Sequence, residues 1–132
     1  VYMRLLRGSV PLVLDEYNYK FELGKAKLLC EGDDVLIISS GIMTMRALEV
    51  AKALAADRIG VAVLHCPTIK PLDEVTILAE VLRKPRLVVV AENHSVVGGL
   101  GEAVLGRDLP SLYRETSSGG LAAAYRRRAM AD

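Results

Sequence analysis

A chain of 132 residues with 52% hydrophobic and 25% charged residues can bury one core and is too short for several. Seventeen basic residues against sixteen acidic ones leave a net charge of +1, which excludes a general electrostatic footprint for nucleic acid or an anionic membrane. No apolar run approaches bilayer-spanning length, and the two cysteines, Cys30 and Cys66, have no metal-type spacing, so free thiols in a reducing, cytoplasmic setting are expected.

Residues 1–6 (VYMRLL) read as a strand interrupted by Arg4, and Arg7-Gly8-Ser9-Val10-Pro11 as a turn leading out of it. A strand needs a ladder partner, so a chain that starts inside one is expected to be the trailing edge of something larger. Residues 12–19 form a mixed linker, 21–23 a short edge strand, and 24–32 a hairpin-like return or a short irregular strand. Residues 34–39 (DVLIIS) are the first core strand. Ser40-Gly41 turns the chain into a helix over 43–57, with Met45, Leu48, Ala51 and Leu54 or Ala55 on its inner face and Arg46, Glu49 and Lys52 in a solvated stripe.

Residues 61–65 (VAVLH) are the next strand. The two prolines of 66–72 (CPTIKPL) stiffen the following turn, in which Lys70, Pro71 and Asp73 are structural residues. Asp73 caps a helix with Glu74 in its first turn, and Pro85 stops it after Arg83 and Lys84. Val75, Leu78 and Leu82 form its apolar face, with Ile77 and Val81 beside them. The run 87–91 (LVVVA) reads as the central strand, buried on both faces. Glycines 98, 99 and 101 then open a helix ending near Leu105. A last strand is expected over 112–116 and a terminal helix over 121–130, where Arg126–Arg128 read as a solvated face. This alternation predicts an α/β fold with a mainly parallel sheet and helices on both faces.

Strand carboxyl ends are where an open α/β sheet meets ligands and partners. The segment 92–101 (ENHSVVGGLG) therefore reads as a working edge. Glu92 and His94, two apart on a strand end, share a side, which permits an acid–base pair, but a structural or interface histidine is the reading preferred. Neither Ser39-Ser40-Gly41 nor Gly98–Gly101 completes a dinucleotide fingerprint; against phosphate contact, the first reads as a structural strand–helix turn and the second as close packing of a helix end. A metal site from His65, Cys66, Cys30 and His94 has no support in spacing.

The ordered set VYMRLLR at 1–7, LGKA at 23–26, DVLII at 34–38, GIM at 41–43, TIKPLD at 68–73, and Glu92 with His94-Ser95 and GGLG at 98–101 resembles the carboxyl-terminal section of a transketolase, closest in wording to the split, two-chain kind. The resemblance implies a three-layer α/β/α sandwich with a mixed, mainly parallel sheet of about five strands. It places residues 1–20 at the end of the preceding pyrimidine-binding domain plus linker, and 21–132 in the transketolase C-terminal domain. Arg7 takes the place of the arginine that holds the sugar phosphate. Glu92, His94, Gly98, Gly99 and Gly101 take that of an interface or site edge.

Asn93 departs from the family pattern, which has a second acid there. The diphosphate- and metal-binding signature of the family is absent, so no catalytic residue and no cofactor are expected in this chain. Thiamine diphosphate and Mg2+ belong to the complete enzyme, whose amino-terminal, diphosphate- and pyrimidine-binding part is the expected partner in a homodimer or heterotetramer. Deoxyxylulose phosphate synthase, a 2-oxoacid dehydrogenase beta subunit and a non-catalytic assembly module are the alternatives, with a free-standing nucleotide-binding domain behind them.

Overall fold

The fold was analysed in a computed structural model that describes residues 2–3, 9–93, 95 and 97–106. Three short runs rich in valine, leucine and isoleucine build the sheet: β2 (Val35–Ser39), β3 (Val61–His65) and β4 (Leu87–Ala91). β2 pairs in parallel with both of the others, Val35 opposite Val61 on one side and opposite Leu87 on the other. β1 (Lys27–Cys30) runs antiparallel along β3, with a register shift between Leu28 and Cys30 that marks a bulge. The order is β1-β3-β2-β4.

Side chains alternate across this sheet, and the alternation creates two cores. Ile37, Val61 and Val63 meet Ala47 and Leu48 of α1 (Ile42–Ala55) on one face. Leu36, Ile38, Ala62 and Leu64 meet Ile77 and Val81 of α2 (Glu74–Leu82) and Leu100 and Val104 of α3 (Leu100–Leu105) on the other. The result is the expected α/β/α sandwich, with four strands among the described residues where about five were expected. The strand expected over 1–6, the strand over 112–116, the helix over 121–130 and Arg126–Arg128 lie outside the described residues, wholly or in all but Tyr2 and Met3.

Four expectations are corrected. Residues 21–23 are not a strand: Phe21 and Leu23 are 62% and 68% exposed, Lys25 N closes a turn onto Glu22 O, and Gly24 N donates to Thr68 Oγ1, so this backbone is used in loop contacts. The edge strand is β1 instead, the irregular-strand reading of 24–32. Second, β4 is not central among the described strands. It borders the described sheet, and Leu87 and Val89 are 44% and 37% exposed, with α1 lying chiefly over β3.

Third, α2 buries Ile77 and Val81 with Leu78 beside them, while Val75 is 79% exposed and Leu82 also faces outward. The cap sets this phase. Asp73 is turned inward, so residues four and eight further on share its side of the helix. Fourth, α1 starts one residue earlier than expected and ends two earlier; Thr44, Ala47 and Leu48 face inward, with Ala51 and Leu54 behind them, and Met45 is only half-buried. Arg46 and Glu49 do lie on the solvated stripe, paired at 3.0 Å.

Asp73 does more than cap. Its Oδ1 accepts from Thr76 N at 3.2 Å, and its Oδ2 accepts from Thr76 Oγ1 at 2.8 Å and from Ala26 N at 2.9 Å, which ties α2 to the chain entering β1. Lys70 and Pro71, joined by a cis peptide, lie in the loop that delivers Asp73. Burial alone would raise the Asp73 pKa, yet these donors, with Lys25 nearby, hold it below the ordinary carboxylate value of 3.8. Such a group stabilises the fold above its unfolded pKa, and that contribution is lost as pH falls through the lower folded value. Asp73→Ala is expected to cost about 1–3 kcal/mol in urea denaturation at pH 7. The difference from the parent should shrink below about pH 4.

Candidate functional site

β4 ends at Ala91, and Glu92 is the first residue beyond the sheet's carboxyl edge. Its carboxylate reaches back into the start of α3: Oε2 accepts from Leu100 N at 2.7 Å and Oε1 from Gly101 N at 2.9 Å. A helix amino end presents unsatisfied N–H groups and a positive dipole end, and here an anion of the same chain satisfies them.

The glycines follow from that contact. Gly98 has φ +75°, the left-handed region that an L side chain resists, and its N–H donates to the Glu102 carboxylate. At Gly99 a Cβ would stand 2.4 Å from both Glu92 oxygens, so only glycine admits the carboxylate. Gly101 would place one 3.4 Å from Oε1. Of the two sequence alternatives for this cradle, the structure shows close packing of a helix end, with Glu92 as the packed group.

Both Glu92 oxygens are engaged by backbone donors, so this carboxylate is an anchor that aims the intervening loop. In that loop Ser95 Oγ accepts from Val97 N at 3.3 Å. His94 lies outside the described residues, as does Arg7.

A second cluster, which sequence reasoning did not assemble, sits at the carboxyl ends of β2 and β3. Ser39 and His65 are register partners, and both are buried. Thr44, in the first turn of α1, bridges them, with 3.0 Å to Ser39 Oγ and 2.8 Å to His65 Nδ1. The ring of Tyr19, from the linker, meets the imidazole edge-on at 5.2 Å between centroids and 80° between planes. Burial holds the His65 pKa below its ordinary 6.5. The available sequence signals were a polar residue closing an otherwise apolar strand, VAVLH, and a threonine on the inner side of a helix.

The Ser39-Ser40-Gly41 turn is bound into the fold in the same way. Ser40 N donates to Ala91 O at 3.2 Å, Cys66 N donates to Ser39 O at 2.8 Å, and Ser39 Oγ is spent on Thr44.

The cysteines are free. Cys30 Sγ donates to Val61 O at 3.5 Å, while Cys66 is buried, its thiol pushed up to about 12 by burial and by the charge of Asp73. Among the described residues no three His, Cys, Asp or Glu side chains gather as metal ligands, and no helix is long and apolar enough to cross a membrane.

The sequence profile of the transketolase C-terminal domain matches residues 24–109, well over half of the chain. The chain belongs to that family. An uncharacterised transketolase family protein of Sinorhizobium fredii, y4mN, is 74% identical over 104 residues, which is 79% of this chain and 30% of that protein. The 6-deoxy-6-sulfo-D-fructose transketolase subunit SqwH of a Clostridium strain is 49% identical over 113 residues, 83% of this chain and 34% of that subunit. Among solved structures, a split gene transketolase in an inactive beta4 tetramer matches with a TM-score of 0.68 and 44% identity, over 76% of this chain and 32% of that one. The transketolase C-terminal domain described here thus spans about a third of the length of these relatives.

Proposed function

We propose that this chain is the non-catalytic carboxyl-terminal section of a transketolase-like enzyme, and that it braces the assembly in which a two-carbon ketol unit passes between sugar phosphates. One observation carries the reading. The glycine-lined helix start, the place where a diphosphate cradle would form, is filled by the protein's own Glu92. The described residues therefore do not fit thiamine diphosphate and Mg2+: the cradle is taken, and no acidic cluster is present for the metal. Relatives about three times as long, named as transketolases, support the same division.

In this reading the amino-terminal, diphosphate- and pyrimidine-binding part is the partner and holds the cofactor. Residues 1–20 complete its last domain and the linker, and residues 21–132 form the bracing domain. The whole is a cytoplasmic enzyme of carbohydrate metabolism, a homodimer or a heterotetramer. Glu92, through its grip on Gly98–Gly101, shapes the edge that meets the partner, together with His94. Arg7 holds the substrate phosphate through its guanidinium fork.

Titration calorimetry of the purified chain with thiamine diphosphate and Mg2+ is expected to give no binding heat; tight binding would overturn the division of labour. In the complete enzyme, Arg7→Ala is expected to raise KM for phosphorylated acceptors about tenfold or more and to leave unphosphorylated ones nearly unchanged. Equal effects on both would remove Arg7 from the phosphate.

A further inference from the structure

The linker ahead of the sheet is seated on the domain. Val13 and Tyr17 pack against the cluster of Ile37, Ala47, Leu48, Val61 and Val63, and Tyr19 closes the row against His65. The Tyr19 hydroxyl is buried with no hydrogen-bond partner among the described residues, so its place depends on the ring contact. We propose that Tyr19 and the Ser39–Thr44–His65 chain form an acid-sensitive latch that holds linker residues 11–19 on the α1 face at neutral pH and releases them when His65 is protonated.

The hydrogen-bond chain is directional. With Nδ1 unprotonated, Ser39 donates to Thr44 and Thr44 donates to the imidazole. A proton on Nδ1 turns that bond around, and Thr44 must then aim its hydrogen back at Ser39. Among the described residues no carboxylate pairs with that charge. On β1, Lys27 stands opposite His65 on the same side of the sheet and repels a cation. On β2 the neighbour is Ser39, and α1 carries no acidic residue in its first turn. The charge of Asp73 acts instead on Cys66, beyond the end of β3.

The carboxylate acting on Tyr19 is Glu22, whose charge, after burial, helps raise the Tyr19 pKa, while Glu16 of the linker and Glu49 and Lys52 of α1 line the cleft with Val13 and Tyr17. Glu22 is exposed, in the turn that Lys25 N closes onto its carbonyl oxygen. A buried imidazolium among hydroxyls is relieved by admitting water, and the half-exposed linker is the wall that yields at least cost.

The seam is independent of the enzyme reading and concerns how this domain carries whatever precedes it. The sign follows from burial: a histidine held below its ordinary value destabilises the latched state as pH falls below 6.5.

The test is an NMR titration of the full chain from pH 8 to pH 5, following the two histidine ring signals and the backbone amides. His94→Asn assigns the rings. Amides of residues 12–19 are expected to shift in step with His65, while those of Ile77, Val81 and Leu100 stay still. His65→Asn is expected to abolish the linker's acid shift. Should that variant fail to fold, Tyr19→Leu serves: the linker amides take their acid positions already at neutral pH, and His65 titrates closer to 6.5. Linker amides that stay still while His65 titrates, or that follow carboxylate midpoints instead, would overturn the latch.

Discussion

Replacing Arg86 by alanine is expected to cost about 3–5 kcal/mol, a large share of the roughly 5–15 kcal/mol that holds a domain together. The Arg86 side chain is fully buried where α2 ends and β4 begins. Its NH1 donates to Gly32 O at 2.8 Å, and its NH2 donates to Glu80 O and to Glu80 Oε2, both at 2.7 Å. One guanidinium thus ties the β1–β2 connection to the last turn of α2 from the first position before β4. Removing it takes a buried donor from two carbonyl oxygens and leaves the Glu80 carboxylate to the longer contact with Arg83 at 3.7 Å.

Arg86→Lys is expected to recover part of the loss, since an ammonium keeps the charge without the planar fork. The neighbouring ion pairs provide the contrast. Lys84 with Asp33 and Arg83 with Glu31 at 3.4 Å are exposed to solvent, and deleting Arg83 or Lys84 should cost under about 1 kcal/mol and respond to salt. Urea denaturation at low and high salt measures all of these. An Arg86→Ala variant within 1 kcal/mol of the parent would contradict the account.

Breaking the seat of Glu92 is the second large effect. Glu92→Ala removes two charge-assisted bonds from a six-residue helix that cannot persist without its contacts, for an expected cost of about 2–4 kcal/mol. The loss should be local. Hydrogen exchange at residues 100–105 should lose its protection while α1 keeps its own. Gly99→Ala should cost a similar amount by a different route. The backbone there is at φ −90°, which alanine accepts, so the penalty is the collision with the Glu92 carboxylate. The double variant should therefore be about as stable as Glu92→Ala alone. Additive losses in that cycle would show that Gly99 serves some other purpose.

Much of this was legible before any coordinates. The three parallel strands, the Asp73 cap and the ordered motifs from TIKPLD to GGLG carried the fold class and the family. The partners were not legible. A carboxylate two residues from a histidine suggests an acid–base pair or an interface edge, and neither reading names the backbone donors that Glu92 meets. Its engagement by Leu100 and Gly101 depends on a loop that returns the chain nine residues later. Arg86 precedes a strand in the sequence, and its hydrogen-bond partner Gly32 is 54 positions away.

What the sequence alone determined are the terms that act within a few residues: strand propensity, turn chemistry, the capping carboxylate, and the absence of a complete diphosphate signature. The tertiary structure decided the rest. It turned α1 to place Thr44 inward, fixed α2 through the bond from Ala26 to Asp73, left β4 at the border of the described sheet, and filled the glycine cradle from within. The physical reason is that helical phase and carboxylate partners are chosen by burial and hydrogen-bond satisfaction between segments tens of residues apart. A local pattern leaves several such choices close in energy, and packing selects among them.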